Sequence, residues 1–182
     1  TGGDKGAKDG TLTILAGGDR EDFDACLSIL QAMGKNIDYE GKAGNGQHTK
    51  MCNQIAVAGA LAGACEAMVY AKNVGLDVDT MLKSISTGAA SSVQMNNVAS
   101  RALQDDYRPG FFIKHFIKDM NLADEEARAA DTELKVLEDV LSMYKELEQE
   151  GMGELGTQAL IKFYDEEHRY MEDEEEPEQA EE

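Results

Sequence analysis

Branched aliphatic and threonine residues give positions 11–16 strand character, and a helix is predicted over 19–33, opened by Asp19 as cap. A second strand is predicted over 36–40, which completes one β-α-β unit. From Gly46 onward the apolar spacing turns helical, with helices predicted over 46–74, 78–87, 91–104, 112–130, 133–150 and 154–168. Gly75, Gly88, Pro109-Gly110 and Gly151-Met152-Gly153 punctuate them, and no internal repeat is evident. The expected fold is mainly α: a short β-α-β stretch followed by an all-α helical domain.

The long helix beginning near Gly46 holds the most informative residue. Between Met51 and Cys65 nothing ionises except cysteine, so this helix is expected to be packed on most sides, yet Lys50 stands just inside its start. A desolvated ammonium is costly and is retained where a partner or a reaction uses it. Gly44 and Gly46 break the preceding structure and leave backbone N–H groups at a helix start, a site suited to a carboxylate or phosphate. The helix dipole and partial burial both lower the pKa of Lys50 toward the range of acid-base work. Asn53 and Gln54, three and four residues on, share its face and are placed to orient a substrate oxygen. The same spacing also allows Lys50 to cap a carbonyl or reach solvent.

The pattern Gly44-x-Gly46-x-x-x-Lys50-x-x-Asn53-Gln54 resembles the β-hydroxyacid dehydrogenases, in the branch of 3-hydroxyisobutyrate dehydrogenase and tartronate semialdehyde reductase. Thr1-Gly2-Gly3, the run from Gly10 to Gly18, Pro109-Gly110-Phe111, the run from His115 to Ala123 and Gly156-Thr157-Gln158-Ala159-Leu160-Ile161 extend the resemblance over residues 1 to 167. It implies hydride transfer between NAD or NADP and a β-hydroxyacid, with Lys50 relaying the hydroxyl proton. By the same resemblance Thr1, Gly2 and Gly3 form the substrate-carboxylate loop. Asn53, Gln54, Phe111 and Asp119 flank the substrate, and Lys118 contacts the dinucleotide. Thr1 replaces the more usual serine, and Gln54 stands where relatives carry asparagine, so which of the two amides touches substrate stays open. By spacing alone, Lys118 and Asp119 also fit the solvated side of an amphipathic helix whose core stripe is Phe112, Phe116, Met120 and Ala123.

Family members begin with a Rossmann domain carrying Gly-x-Gly-x-x-Gly, and no such unit precedes Thr1. Residues 1–42 are therefore expected to be the edge of that dinucleotide-binding domain and 43–170 the helical substrate-binding and oligomerisation domain. The chain is expected to be a C-terminal piece, inactive alone, that binds NAD weakly or not at all. Family likeness also implies a homodimer or homotetramer. Two alternatives are a non-catalytic helical binding module and an oxidative decarboxylase of the 6-phosphogluconate type.

Charge changes the picture at the end of the chain. Of 182 residues 36 are acidic and 17 basic, a net charge of −19, and Glu and Asp crowd the last residues. A disordered acidic tail over 171–182 is expected, acting as a solubilising surface or as a partner-binding segment. This balance argues against nucleic acid, which requires clustered Lys and Arg. Cys26, Cys52 and Cys65 read as reduced core residues, and the scattered His48, His115 and His168 suggest no metal site. The apolar stretch from Ile55 to Val74 is interrupted by Glu66 and Lys72, which argues against a membrane span and for a cytoplasmic protein.

Overall fold

The computed structural model describes residues 1–164. The expected tail, His168 and the last turn of the helix predicted over 154–168 lie outside them. A glycine-rich turn α1 (Gly3–Asp9) precedes strand β1 (Leu12–Gly17), helix α2 (Arg20–Met33) and strand β2 (Gly34–Gly41). Helices α3 (Asn45–Asn73), α4 (Val78–Ile85), α5 (Ile113–Ala129) and α6 (Lys135–Gln149) follow. The fold is mainly α, with a two-stranded parallel sheet in which Leu12 faces Gly34 and Gly17 faces Gly41.

Several elements differ from expectation. Helix α1 was not foreseen, because two glycines in seven residues weaken helical propensity; Gly10, left-handed at φ 65°, closes it by donating its N–H to Gly6 O. Asp19 occupies the cap position of α2 but makes no side-chain cap bond, and Phe23 N donates to its main-chain oxygen instead. The helix expected over 91–104 is a wide π turn, Gln94–Val98, running into a tight 3₁₀ stretch, Ala99–Gln104. The final segment, Thr157–Tyr164, is also 3₁₀ rather than α.

The sheet is welded to the bundle at one seam. A Cβ added to Gly46 would stand 2.3 Å from Leu15 O, and one added to Gly17 would stand 2.5 Å from Lys42 O. Only glycine permits the first turn of α3 to press on β1 this closely. Gly46 is buried in that contact, so its role is close packing and not the open anion site expected of it. Gly44, at φ 92°, supplies the left-handed turn into the helix.

Beyond the seam α3 is the spine of the core. Leu61, Cys65 and Met68 are fully buried against Ile113, Phe116 and Met120 of α5 and Leu137, Tyr144 and Leu147 of α6. The Phe116 ring meets Phe111 at 5.5 Å and Tyr144 at 5.3 Å, in tilted and edge-on arrangements. Tyr144 is wholly enclosed, and its hydroxyl donates to Thr157 O at 2.7 Å, which satisfies the one polar atom its burial would strand.

Packing is less complete than the sequence suggested. Cys52, Ala56, Gly63, Glu66 and Tyr70 form an exposed stripe along α3, since the elements packed on it cover only part of its circumference. Cys26 and Cys52 are exposed and only Cys65 is core, so two of the three cysteine expectations fail: α2 buries no residue, and Cys52 lies on the open stripe. Helix α3 is long and apolar enough to cross a membrane, but its Leu61 and Cys65 are wholly buried among the other helices.

Candidate active site

Lys50 lies one turn into α3, where the seam with β1 half-covers it. Its Nζ donates to Gln54 Oε1 at 2.8 Å, and Asn53 Nδ2 donates to the same oxygen at 2.8 Å. Gln54 Nε2 then donates to Asp119 Oδ2 at 2.8 Å, while Asp119 Oδ1 pairs with Lys118 Nζ at 2.9 Å. A single chain of polar contacts therefore runs from α3 to α5 through Gln54, which is 4 % exposed. Lys118 itself extends into solvent, and Asp119 is largely covered.

Burial holds the Lys50 ammonium below the usual lysine range. The Asp119 carboxylate opposes that shift and the Lys118 cation adds to it. A lysine with a lowered pKa that faces a cleft gives up its proton more readily than a solvated one.

Two hollows meet at Lys50. One, of about 590 Å³, runs along the open edge of β1 and is lined by Leu12–Gly17, Lys50, Gln54 and Asp119. Thr1 and Thr13 exchange main-chain bonds at that edge, of 2.7 and 2.9 Å, which marks it as a place for strand pairing more than for a small ligand. The other, of about 670 Å³, brings together Thr1, Gly2, Gly3, Lys50, Asn53, Gln54 and Phe111. Every residue expected to meet substrate except Asp119 lines this second cavity. Asp119 reaches it only through Gln54.

The geometry separates the two amides. Both protons of Lys50 and Asn53 that point inward are taken by Gln54 Oε1, and its nitrogen is committed to Asp119, so Gln54 is a structural bridge. Asn53 keeps its carbonyl oxygen free of any protein donor among the described residues. Missing from the sequence-based set are Arg101, Gln94 and Gln158, which also line the cavity. Gln158 falls in the Gly156–Ile161 motif noted without a role, whereas nothing in the local pattern of Arg101 marks it.

The fit to a dinucleotide is partial. Gly151-Met152-Gly153-Glu154-Leu155-Gly156 has the letters of a pyrophosphate turn, but it follows helix α6 instead of a strand. Its main chain is spent internally: Gly156 N donates to Tyr107 O, and Gly153 O accepts from Lys114 N. What the described residues offer is the exposed Lys118 cation beside the cleft, which suits one end of the cofactor and no more.

Comparison with known proteins follows the same division. A family model described as NAD-binding of NADP-dependent 3-hydroxyisobutyrate dehydrogenase matches residues 44–164, and one described as the NAD binding domain of 6-phosphogluconate dehydrogenase matches residues 1–41. An uncharacterized oxidoreductase of Bacillus subtilis, YkwC, is 50 % identical over 90 % of this chain and 57 % of its own length. A probable 3-hydroxyisobutyrate dehydrogenase-like protein of Arabidopsis thaliana is 40 % identical over 88 % of this chain and 48 % of its own. The crystal structure of 3-hydroxyisobutyrate dehydrogenase from Salmonella typhimurium superposes with a TM-score of 0.80 at 27 % identity, covering 89 % of this chain and 57 % of that one. The chain thus spans about half the length of the curated relatives it matches.

Proposed function

Because this chain belongs to the β-hydroxyacid dehydrogenase family, whose cofactor is NAD or NADP, we propose that it supplies the substrate half of such an enzyme, with Lys50 as the proton relay. The observation that carries this is the half-buried Lys50 amine on the wall of a cavity it shares with Thr1, Gly2, Gly3 and Asn53.

The Thr1 hydroxyl and the Gly2 and Gly3 main chain receive the substrate carboxylate, which positions the carbinol beside Lys50. In the neutral form that burial favours, the Lys50 amine takes the hydroxyl proton as the alcohol becomes a carbonyl. In the reverse direction it returns that proton. Asn53 directs the same oxygen toward the amine, and Gln54 and Asp119 keep the amine in place. Bound NAD or NADP supplies the hydride acceptor; Lys118 is the residue here that would contact it. The main dinucleotide site is assigned to the length that relatives have and these residues lack.

The test is Lys50→Ala in the protein carrying that further length: turnover of 3-hydroxyisobutyrate is expected to fall by roughly 10²–10⁴-fold with cofactor affinity retained. Retained turnover refutes the relay. On its own the 182-residue chain is expected to bind NAD weakly, and micromolar affinity by calorimetry would overturn that.

Assembly is a second reading, favoured by the exposed small-residue stripe of α3 at Cys52, Ala56 and Gly63. It supports a homodimer or homotetramer; light scattering that returns a monomer at every concentration would reject it.

A further inference from the structure

The cavity beside Lys50 has a charge that contradicts the rest of the chain. The sequence holds 36 acidic and 17 basic residues, yet among the described residues lining this cavity there is no Asp or Glu and there are two cations, Lys50 and Arg101.

Arg101 is held rigidly. Its Nε and Nη2 donate to Asp106 Oδ2 at 3.1 and 3.0 Å, and Nη2 also donates to Arg108 O at 2.8 Å. The same carboxylate is shared with Arg108, whose Nε reaches Oδ1 at 2.7 Å and whose Nη2 reaches Oδ2 at 2.9 Å. One carboxylate between two guanidiniums leaves the cluster with net positive charge. Gln158, 1 % exposed, locks the loop by donating Nε2 to Asp106 O at 2.7 Å and Arg108 O at 3.1 Å.

One guanidinium nitrogen remains. Arg101 Nη1 has no hydrogen-bond partner among the described residues and faces Gly110 on the cavity wall, where an added Cβ would stand 3.7 Å from it. A Cβ added to Gly3 would in turn stand 4.0 Å from Gly110 O, so Gly110 adjoins both the free nitrogen and the Gly2-Gly3 loop and separates one from the other. Val57, Ala60, Val98 and Phe111 supply apolar wall in the same cavity.

We propose that Arg101 is a specificity residue that selects hydroxy acids carrying a second carboxylate, which Nη1 binds; this rests on the assignment of the Lys50 cleft made above. A pre-oriented guanidinium gives up little conformational freedom on binding, and at 30 % exposure it is partly desolvated, so a charged partner is worth more here than on an open surface. A single free nitrogen with two N–H groups suits a carboxylate. A phosphate dianion draws several donors or a row of main-chain amides, which this wall lacks. The cavity, at about 670 Å³, has room for a five-carbon chain.

NMR titration of the chain with 3-hydroxyglutarate and 3-hydroxyvalerate tests this, because the two acids have equal carbon count and differ in the terminal carboxylate. The diacid is expected to bind about tenfold more tightly, and only the diacid should shift the Arg101 guanidinium resonances. In R101Q the ratio of the two affinities should collapse toward unity. If R101Q fails to fold, the guanidinium shift in the unaltered chain decides. Equal binding with no such shift overturns the role of Arg101 and leaves the cleft assignment standing; binding of neither acid overturns the cleft assignment and this inference with it.

Discussion

Gln54 Nε2 donates to Asp119 Oδ2 at 2.8 Å, and that bond joins the opening of α3 to the middle of α5 across 65 positions of sequence. Gln54 is 4 % exposed, so its own amide is shielded from water and depends on these partners. Gln54→Leu is expected to strand Lys50 Nζ, Asn53 Nδ2 and Asp119 Oδ2 together and to lower urea stability by about 2–4 kcal/mol. Gln54→Asn, one methylene shorter, should lose the bond to Asp119 first and cost less. Equal stability of all three proteins would show the bridge to be inert.

Lys50 gives a pH-dependent counterpart. Its folded pKa is lowered, chiefly by burial, so the folded chain releases this proton before the unfolded chain does. Between the two values the unfolded state binds more protons, and stability rises with pH there. The penalty is full below the folded value and is gone above the unfolded one. Lys50→Met should therefore stabilise the fold near pH 7, and its advantage should shrink as pH approaches the ordinary lysine value of about 10.4. Urea unfolding at several pH values measures this; an advantage that grows with pH would reject the sign.

Much of this arrangement was legible in the sequence, for identifiable reasons. The placing of Lys50 came from one charge at the head of an uncharged run, and the β-α-β order came from two short stretches of strand character on either side of a helix. The role of Gln54 was not legible, because its second partner, Asp119, is set by how α3 crosses α5. Arg101 escaped for a similar reason: its significance depends on a loop held by Gln158 from the far end of the chain. Gly46 was misjudged because a glycine that admits a strand and a glycine that admits an anion read alike.

The seam offers a direct check on that last correction. Gly46→Ala places a methyl 2.3 Å from Leu15 O, well inside contact distance. The helix must then retreat from β1, which is expected to cost about 1–3 kcal/mol by overpacking. Gly63→Ala, on the open stripe of α3 with nothing within 4 Å, should be neutral or stabilising and serves as the control. Similar melting temperatures for both variants would contradict the close approach.

Cysteine reactivity reports the packing independently. Cys26 and Cys52 are exposed, while Cys65 is buried and its thiol is pushed up to about 12 by desolvation, with Glu66 adding to it. Near pH 8 a thiol reagent should modify two groups quickly and the third only on unfolding. Rapid modification of all three in the folded chain would mean that the interior of the bundle is open.

The acid-free wall beside Lys50 sets up a contest of ranges for any anion that approaches. At a distance the molecule is a body of charge −19 and repels it; within a few ångströms Lys50 and Arg101 attract it. Dissolved ions weaken the far field first, since screening acts over about 8–10 Å at physiological strength and barely reaches a partly enclosed cation. Moderate salt should therefore speed the capture of anionic ligands, the reverse of what a uniformly basic cleft would do.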